Sequence, residues 1–367
     1  MSKNQDNKKA DGFIKKAMSK FSKRDYDAAF ADFDRAIEFD PSNARAYSVR
    51  GYAKSLRGDY TGAINDLDEA IGSGSNNPHD YITRGNSKAA ISEDRLAIED
   101  FDKAIKIDPS NAFAHLCRGY SYASIGENLA AIDDFTRVIT INPEYAAAYN
   151  NRGSALASMG KHPEAIEDYD KAIEKDRKLM LAYVNRGYSK LLTKEYPEAI
   201  EDLTTAISLD PKNAVAYHYR GRARKEIGDH QGAIDDFDEA IKIDPSISSA
   251  FTDRGITKSD QKLHEIFQIL EAQGRKLNNF DHISSDGDGV IEEEEKAHKR
   301  RDPKAKEAVD YAYKLKREKP KMKWRTAARL AVDQIFPDLR PNVRQKKIDS
   351  IRNSLKQKRS HRSSKQK

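Results

Sequence analysis

The dipeptide Arg-Gly returns at an unbroken interval of 34 residues, its glycine falling at Gly51, Gly85, Gly119, Gly153, Gly187, Gly221 and Gly255. A period of this length, held without slip, requires a stack of small supersecondary units, each unable to bury its apolar face without its neighbours. Arrays of this kind build extended surfaces, so the period predicts binding rather than catalysis.

Within the second unit, Tyr47, Gly51, Ala63, Leu67 and Ala70 follow steps of four and three, which places one apolar stripe on each of two helices. Gly58 and its counterparts Gly126, Gly160 and Gly228 stand between the stripes, where a helix ends in a left-handed residue that glycine adopts cheaply. Pro41, Pro109, Pro143, Pro211 and Pro245 each follow Asp or Asn and stop the second helix. Ala29, Ala63, Ala97, Ala131, Ala165, Ala199 and Ala233 share one register of the second helix, where the hairpin's backbones come closest. Each unit reads as a helical hairpin.

Two charged registers run in phase with this framework. Arg50, Arg84, Arg118, Arg152, Arg186, Arg220 and Arg254 precede the glycines, and Asp32, Asp66, Asp100, Asp134, Asp168, Asp202 and Asp236 hold one position on the second helices. A guanidinium in a half-buried setting needs a carboxylate, which favours an internal Arg-Asp ladder over an arginine row for an anionic ligand.

These small and large positions, as in Tyr149, Gly153, Ala165, Tyr169 and Ala172, resemble the tetratricopeptide repeat family over residues 10–262. The resemblance implies an all-α, right-handed superhelical solenoid of seven helix-turn-helix repeats plus a capping helix, with a concave inner groove. The first repeat, around Phe13 and Ala17, lacks the glycine. Two joints depart from the pattern, Gly72 to Pro78 and Arg177, and any hinge is expected at one of them.

In that family the groove is lined from the first helix of each hairpin. The corresponding positions here are Ser48, Tyr52, Ile82, Asn86, Phe113, Leu116, Tyr120, Asn150, Leu181, Val184, Tyr188, Leu191, Val215, His218 and Arg222. Tyr52, Tyr120 and Tyr188 suit either peptide contact or packing between adjacent helices. The Lys and Asn pattern with which some members hold chaperone C-terminal carboxylates is absent from these registers, so a heat-shock chaperone tail is not the expected ligand.

After Lys262 the repeat fails, and residues 263–301 read as a helical linker. Within it, Ser284 to Glu295 resembles an EF-hand calcium loop, which implies Ca2+ ligands at Ser284, Asp286, Asp288, the Val290 carbonyl, Glu292 through water, and Glu295. Serine in place of the first aspartate predicts weak affinity, with a Kd of about 10⁻⁵–10⁻³ M. A solvated acidic turn is the alternative.

Residues 296–367 carry a balance of +18 against −12 for the 295 residues before them. Apolar stripes over 302–356, separated by Pro320, Pro337 and Pro341, predict a basic three-helix module loosely resembling a helix-turn-helix domain, with 357–367 a disordered basic tail. Its cations Arg344, Lys346, Lys347, Arg352 and Lys356 would meet DNA or RNA phosphates, or an acidic protein surface.

The remaining composition narrows the class. No apolar run reaches membrane-spanning length, the polar stretch from Met1 to Asp11 lacks a signal peptide's hydrophobic segment, and residues 1–9 read as disordered. The single Cys117 excludes an internal disulfide and fits a cytoplasmic setting. Nine scattered histidines, with no nucleotide or nucleophile motif, argue against an enzyme. The expected role is a non-enzymatic adaptor that binds a partner's peptide or helix in the groove while the basic module engages an anionic partner. A nucleic-acid-binding regulator and a calcium-responsive adaptor are the alternatives.

Overall fold

The computed structural model describes residues 3–262, with side chains from residue 7 onward, and beyond them residues 264, 311, 314, 318 and 330. The expected calcium loop at 284–295 and the cations Arg344, Lys346, Lys347, Arg352 and Lys356 lie outside the described residues. The described residues contain helices and no strand. The described residues divide into two compact units, one of residues 3–227 with 239–246, the other of residues 228–238 with 247–262.

In the first unit, α1 (Lys3–Ser22) packs on α2 (Tyr26–Phe39), α3 (Ala44–Leu56) on α4 (Tyr60–Gly72) and α5 (Pro78–Ala90) on α6 (Asp94–Ile107). The same pairing joins α7 (Ala112–Ser124) to α8 (Asn128–Ile141), α9 (Ala146–Ser158) to α10 (His162–Lys175), and α11 (Met180–Thr193) to α12 (Tyr196–Leu209), with α13 (Ala214–Ile227) following. Helix α14 (His230–Ile243) and helical residues 248–262 come next. Helix α1 begins at Lys3, so residues 3–9 are helical where the sequence suggested disorder, and Ala10 and Ile14 seal the first hairpin against Ala36 and Ala46.

The packing explains the 34-residue signature. A Cβ on Gly85 would stand 2.7 Å from the Phe101 ring, and one on Gly119 or Gly153 would stand 2.8 Å from Phe135 or Tyr169. A large, fully buried side chain on each second helix therefore fills the space that the glycine vacates. The alanines at 29, 63, 97, 131, 165 and 199 are fully buried at the same seam.

The turns inside the hairpins repeat as strictly. Gly58, Gly126 and Gly160 take φ of 82°, 81° and 77°, and Arg24, Ser92 and Lys194 adopt the same left-handed conformation at 64°, 64° and 70° in the equivalent position. The hairpin geometry imposes this conformation even where no glycine is available to relieve it.

Neither expected hinge is loosely bonded. At the first joint, the Asp80 carboxylate accepts 2.5 Å hydrogen bonds from Ser48 Oγ and Ser75 Oγ, and Asn77 caps α5 by accepting from the His79 amide at 3.1 Å. At the second, the Lys178 amide donates to Asp176 Oδ1 at 2.9 Å, the same turn that Asp40, Asp108 and Asp210 make in other repeats.

Of the second unit's described residues, Asp229 accepts from the Gly232 amide at 3.0 Å and starts α14, while Arg254 Nη1 meets Asp238 at 2.5 Å.

Candidate partner-binding groove

The arginine register is occupied internally. Arg118 Nε and Nη2 donate to both oxygens of Asp134 at 2.8 and 2.7 Å, across the hairpin, while Nη1 reaches back 2.5 Å to Asp102 on the preceding hairpin's second helix. Arg50, Arg84 and Arg186 repeat the arrangement, bridging Asp66 with Asp34, Asp100 with Asp68, and Asp202 with Asp170. The hydrogen bond to Asp134, against partial burial, raises Arg118 above the usual guanidinium range, with Asp102 adding to it. These guanidiniums are part of the framework, and each clips two successive hairpins together.

The second acid of each bridge is absent from the sequence reading, although a signal was available. Asp-Phe-Asp or Asp-Leu-Asp recurs with the period at 32–34, 66–68, 100–102 and 236–238, and Asp-Tyr-Asp stands at 168–170. Thr136 and Thr204 break the series, and there Arg152 and Arg220 donate Nη1 to a threonine hydroxyl at 3.1 Å instead.

With the arginines consumed, the face left to a partner is formed by the first helices. Their outermost row exposes Phe113 at 53%, Leu181 at 52% and Val215 at 42%, with only Ala147 between the first two. Tyr52 and Tyr120 are also exposed, while Asn86, Tyr188 and Arg222 are half-buried. Leu116, Asn150, Val184 and His218, expected among the lining residues, are buried together with Ile82. That register faces the neighbouring first helix, so it forms a packed floor beneath the groove rather than its contact surface.

The tyrosines all take part in packing between neighbouring side chains. Tyr52 lies 5.2 Å from His79, Tyr120 meets Phe135 edge-on at 5.7 Å, and Tyr188 stacks on Tyr219 at 4.5 Å, while Tyr52 and Tyr120 keep one face open. An amide relay fixes the middle of the face: Asn151 Nδ2 donates to Tyr120 Oη at 2.7 Å, and Asn185 Nδ2 donates to Asn150 Oδ1 at 3.0 Å. Asp80 does not stand out in the sequence because it occupies its register alone, and Asn151, Asn185 and Tyr219 share a register that elsewhere holds Val49, Thr83, Cys117 and Asp253, so no residue type marks it. Cys117 hydrogen-bonds Asn86, and burial pushes its thiol up to about 11, so the cysteine is a packing residue and not a nucleophile.

Such a molecule, a stack of two-helix modules with an open apolar and amide face, is a scaffold in its construction. Tetratricopeptide-repeat family models match residues 14–78, 146–179, 181–213 and 214–247. The chain belongs to the tetratricopeptide repeat proteins, and its role is that of a protein-interaction scaffold.

A tetratricopeptide repeat protein from Parabacteroides merdae shares the fold at a TM-score of 0.55 and 17% identity, covering 68% of this chain and 99% of its own. The C-terminal part of a repeat protein from Cytophaga hutchinsonii does so at 0.53 and 16%, covering 65% and 98%. YrrB, described as having an unusual peptide-binding site, is 22% identical over 51% of this chain and 96% of its own, at a TM-score of 0.43. No curated protein matches the chain in sequence. No helix among the described residues is long and apolar enough to cross a membrane.

Proposed function

We propose that the first-helix face holds a peptide segment of a partner protein, gripping its apolar side chains. The observation that carries this reading is the exposed row Phe113, Leu181 and Val215 beside Tyr52 and Tyr120. These large apolar side chains sit in groove registers, where a folded chain gains nothing by exposing them together. The amide and phenol groups of Asn86, Asn151 and Tyr120 supply donors and acceptors for the main chain of an extended ligand.

A dodecapeptide library displayed on phage and selected against the full chain tests this. Enriched peptides are expected to lose binding to Phe113→Asp/Leu181→Asp and to keep it with Leu129→Asp, which changes an exposed leucine on second helix α8. Equal retention by the groove variant, or loss only with Leu129→Asp, overturns the proposal.

A further inference from the structure

The four groove registers differ sharply in charge along the array. In α5, α7, α9 and α11 they contain no Asp, Glu, Lys or Arg: the positions run His79, Ile82, Asn86 and Ala89 in α5, and continue with neutral residues through Leu181, Val184, Tyr188 and Leu191 in α11. In α3 the one charged groove residue, Arg45, faces Asp11 of α1 at 3.7 Å. Helix α13 then places Arg222 and Lys225 in these registers, three residues apart and therefore adjacent on one face. Neither has a carboxylate within salt-bridge distance among the described residues, unlike Arg50, Arg84, Arg118 and Arg186, whose guanidiniums are saturated.

The surroundings make this a built site rather than a solvated pair. Tyr219, stacked on Tyr188, stands one turn before Arg222. Burial and the neighbouring Tyr188 hold its phenol above the usual range, with Arg222 pulling the other way. Both cations are half-buried. The groove thus runs from a neutral, apolar stretch into two free cations flanked by an aromatic pair.

Resting on the peptide-binding reading, we infer that the ligand is an amphiphilic acidic peptide. Its aliphatic and aromatic residues lie along α7 to α11, and a run of Asp or Glu at one end docks on Arg222 and Lys225. Charge complementarity fixes the direction in which the peptide lies, because reversing it strands its carboxylates over apolar side chains and leaves the two cations unpaired.

Selection from the same peptide library against the full chain and against Arg222→Glu/Lys225→Glu supplies the test, with folding of the variant checked by its circular dichroism melt. Peptides enriched on the unmodified chain are expected to combine apolar residues with an acidic cluster confined to one end. They should bind the charge-reversed variant about tenfold or more weakly in 0.15 M salt. Replacing their acids by Lys should restore binding to the variant and weaken it on the unmodified chain. Enriched peptides of no charge bias, or equal binding to both proteins, overturn the acidic-ligand inference while leaving the apolar groove standing. Enrichment insensitive to Phe113→Asp/Leu181→Asp removes the groove reading itself, and no enrichment at all overturns both.

Discussion

Gly119 and Gly12 are both helical glycines, yet their environments predict opposite responses to alanine. A methyl group at Gly119 meets the Phe135 ring at 2.8 Å, so Gly119→Ala should cost about 1–3 kcal/mol in urea unfolding through overpacking. At Gly12 nothing lies within 4 Å, and Gly12→Ala should gain about 0.5–1 kcal/mol from helix propensity alone. A destabilised Gly12→Ala or a neutral Gly119→Ala would refute the packing account. Lys194, left-handed at φ 70°, gives a third measurement: Lys194→Gly should stabilise by up to about 1 kcal/mol, because glycine carries no Cβ penalty there.

Much of each hairpin was legible because its constraints repeat. Glycine, alanine and aspartate at fixed registers mark close backbone approach and a buried bidentate carboxylate whichever repeat is read. Part of what escaped was unrepeated. Asp80 occupies a register that is alanine in six other repeats, and its burial is matched by hydrogen bonds from Ser48 and the irregular Ser75. The same irregularity that suggested a hinge therefore carries its own fastening. Asp80→Ala should leave the melting temperature nearly unchanged, since alanine fits that register elsewhere, while amide hydrogen exchange at 73–76 accelerates. Unaltered exchange there would mean that the carboxylate does not secure the joint. The buried floor of the groove was misread for a related reason, since spacing assigns a residue to a helix face but not to the depth at which the next helix covers it.

Across the array, cohesion comes from contacts between consecutive hairpins, so stability is a sum of repeat terms and neighbour terms. Arg84 belongs to both, holding Asp100 within its hairpin and Asp68 in the preceding one. Arg84→Leu strands the buried Asp100 beside Lys88 alone and should cost about 3–5 kcal/mol. Thr136 offers the reverse experiment. Thr136→Asp places an acid opposite Arg152 and should add about 0.2–1 kcal/mol, the range of an exposed pair, with the gain erased by high salt. Thr136 also decides where the first unit would come apart. Between α8 and α10 successive modules are sewn with a weaker stitch, so a protease acting under mild denaturant should release a fragment of about four repeats rather than a continuous ladder of sizes.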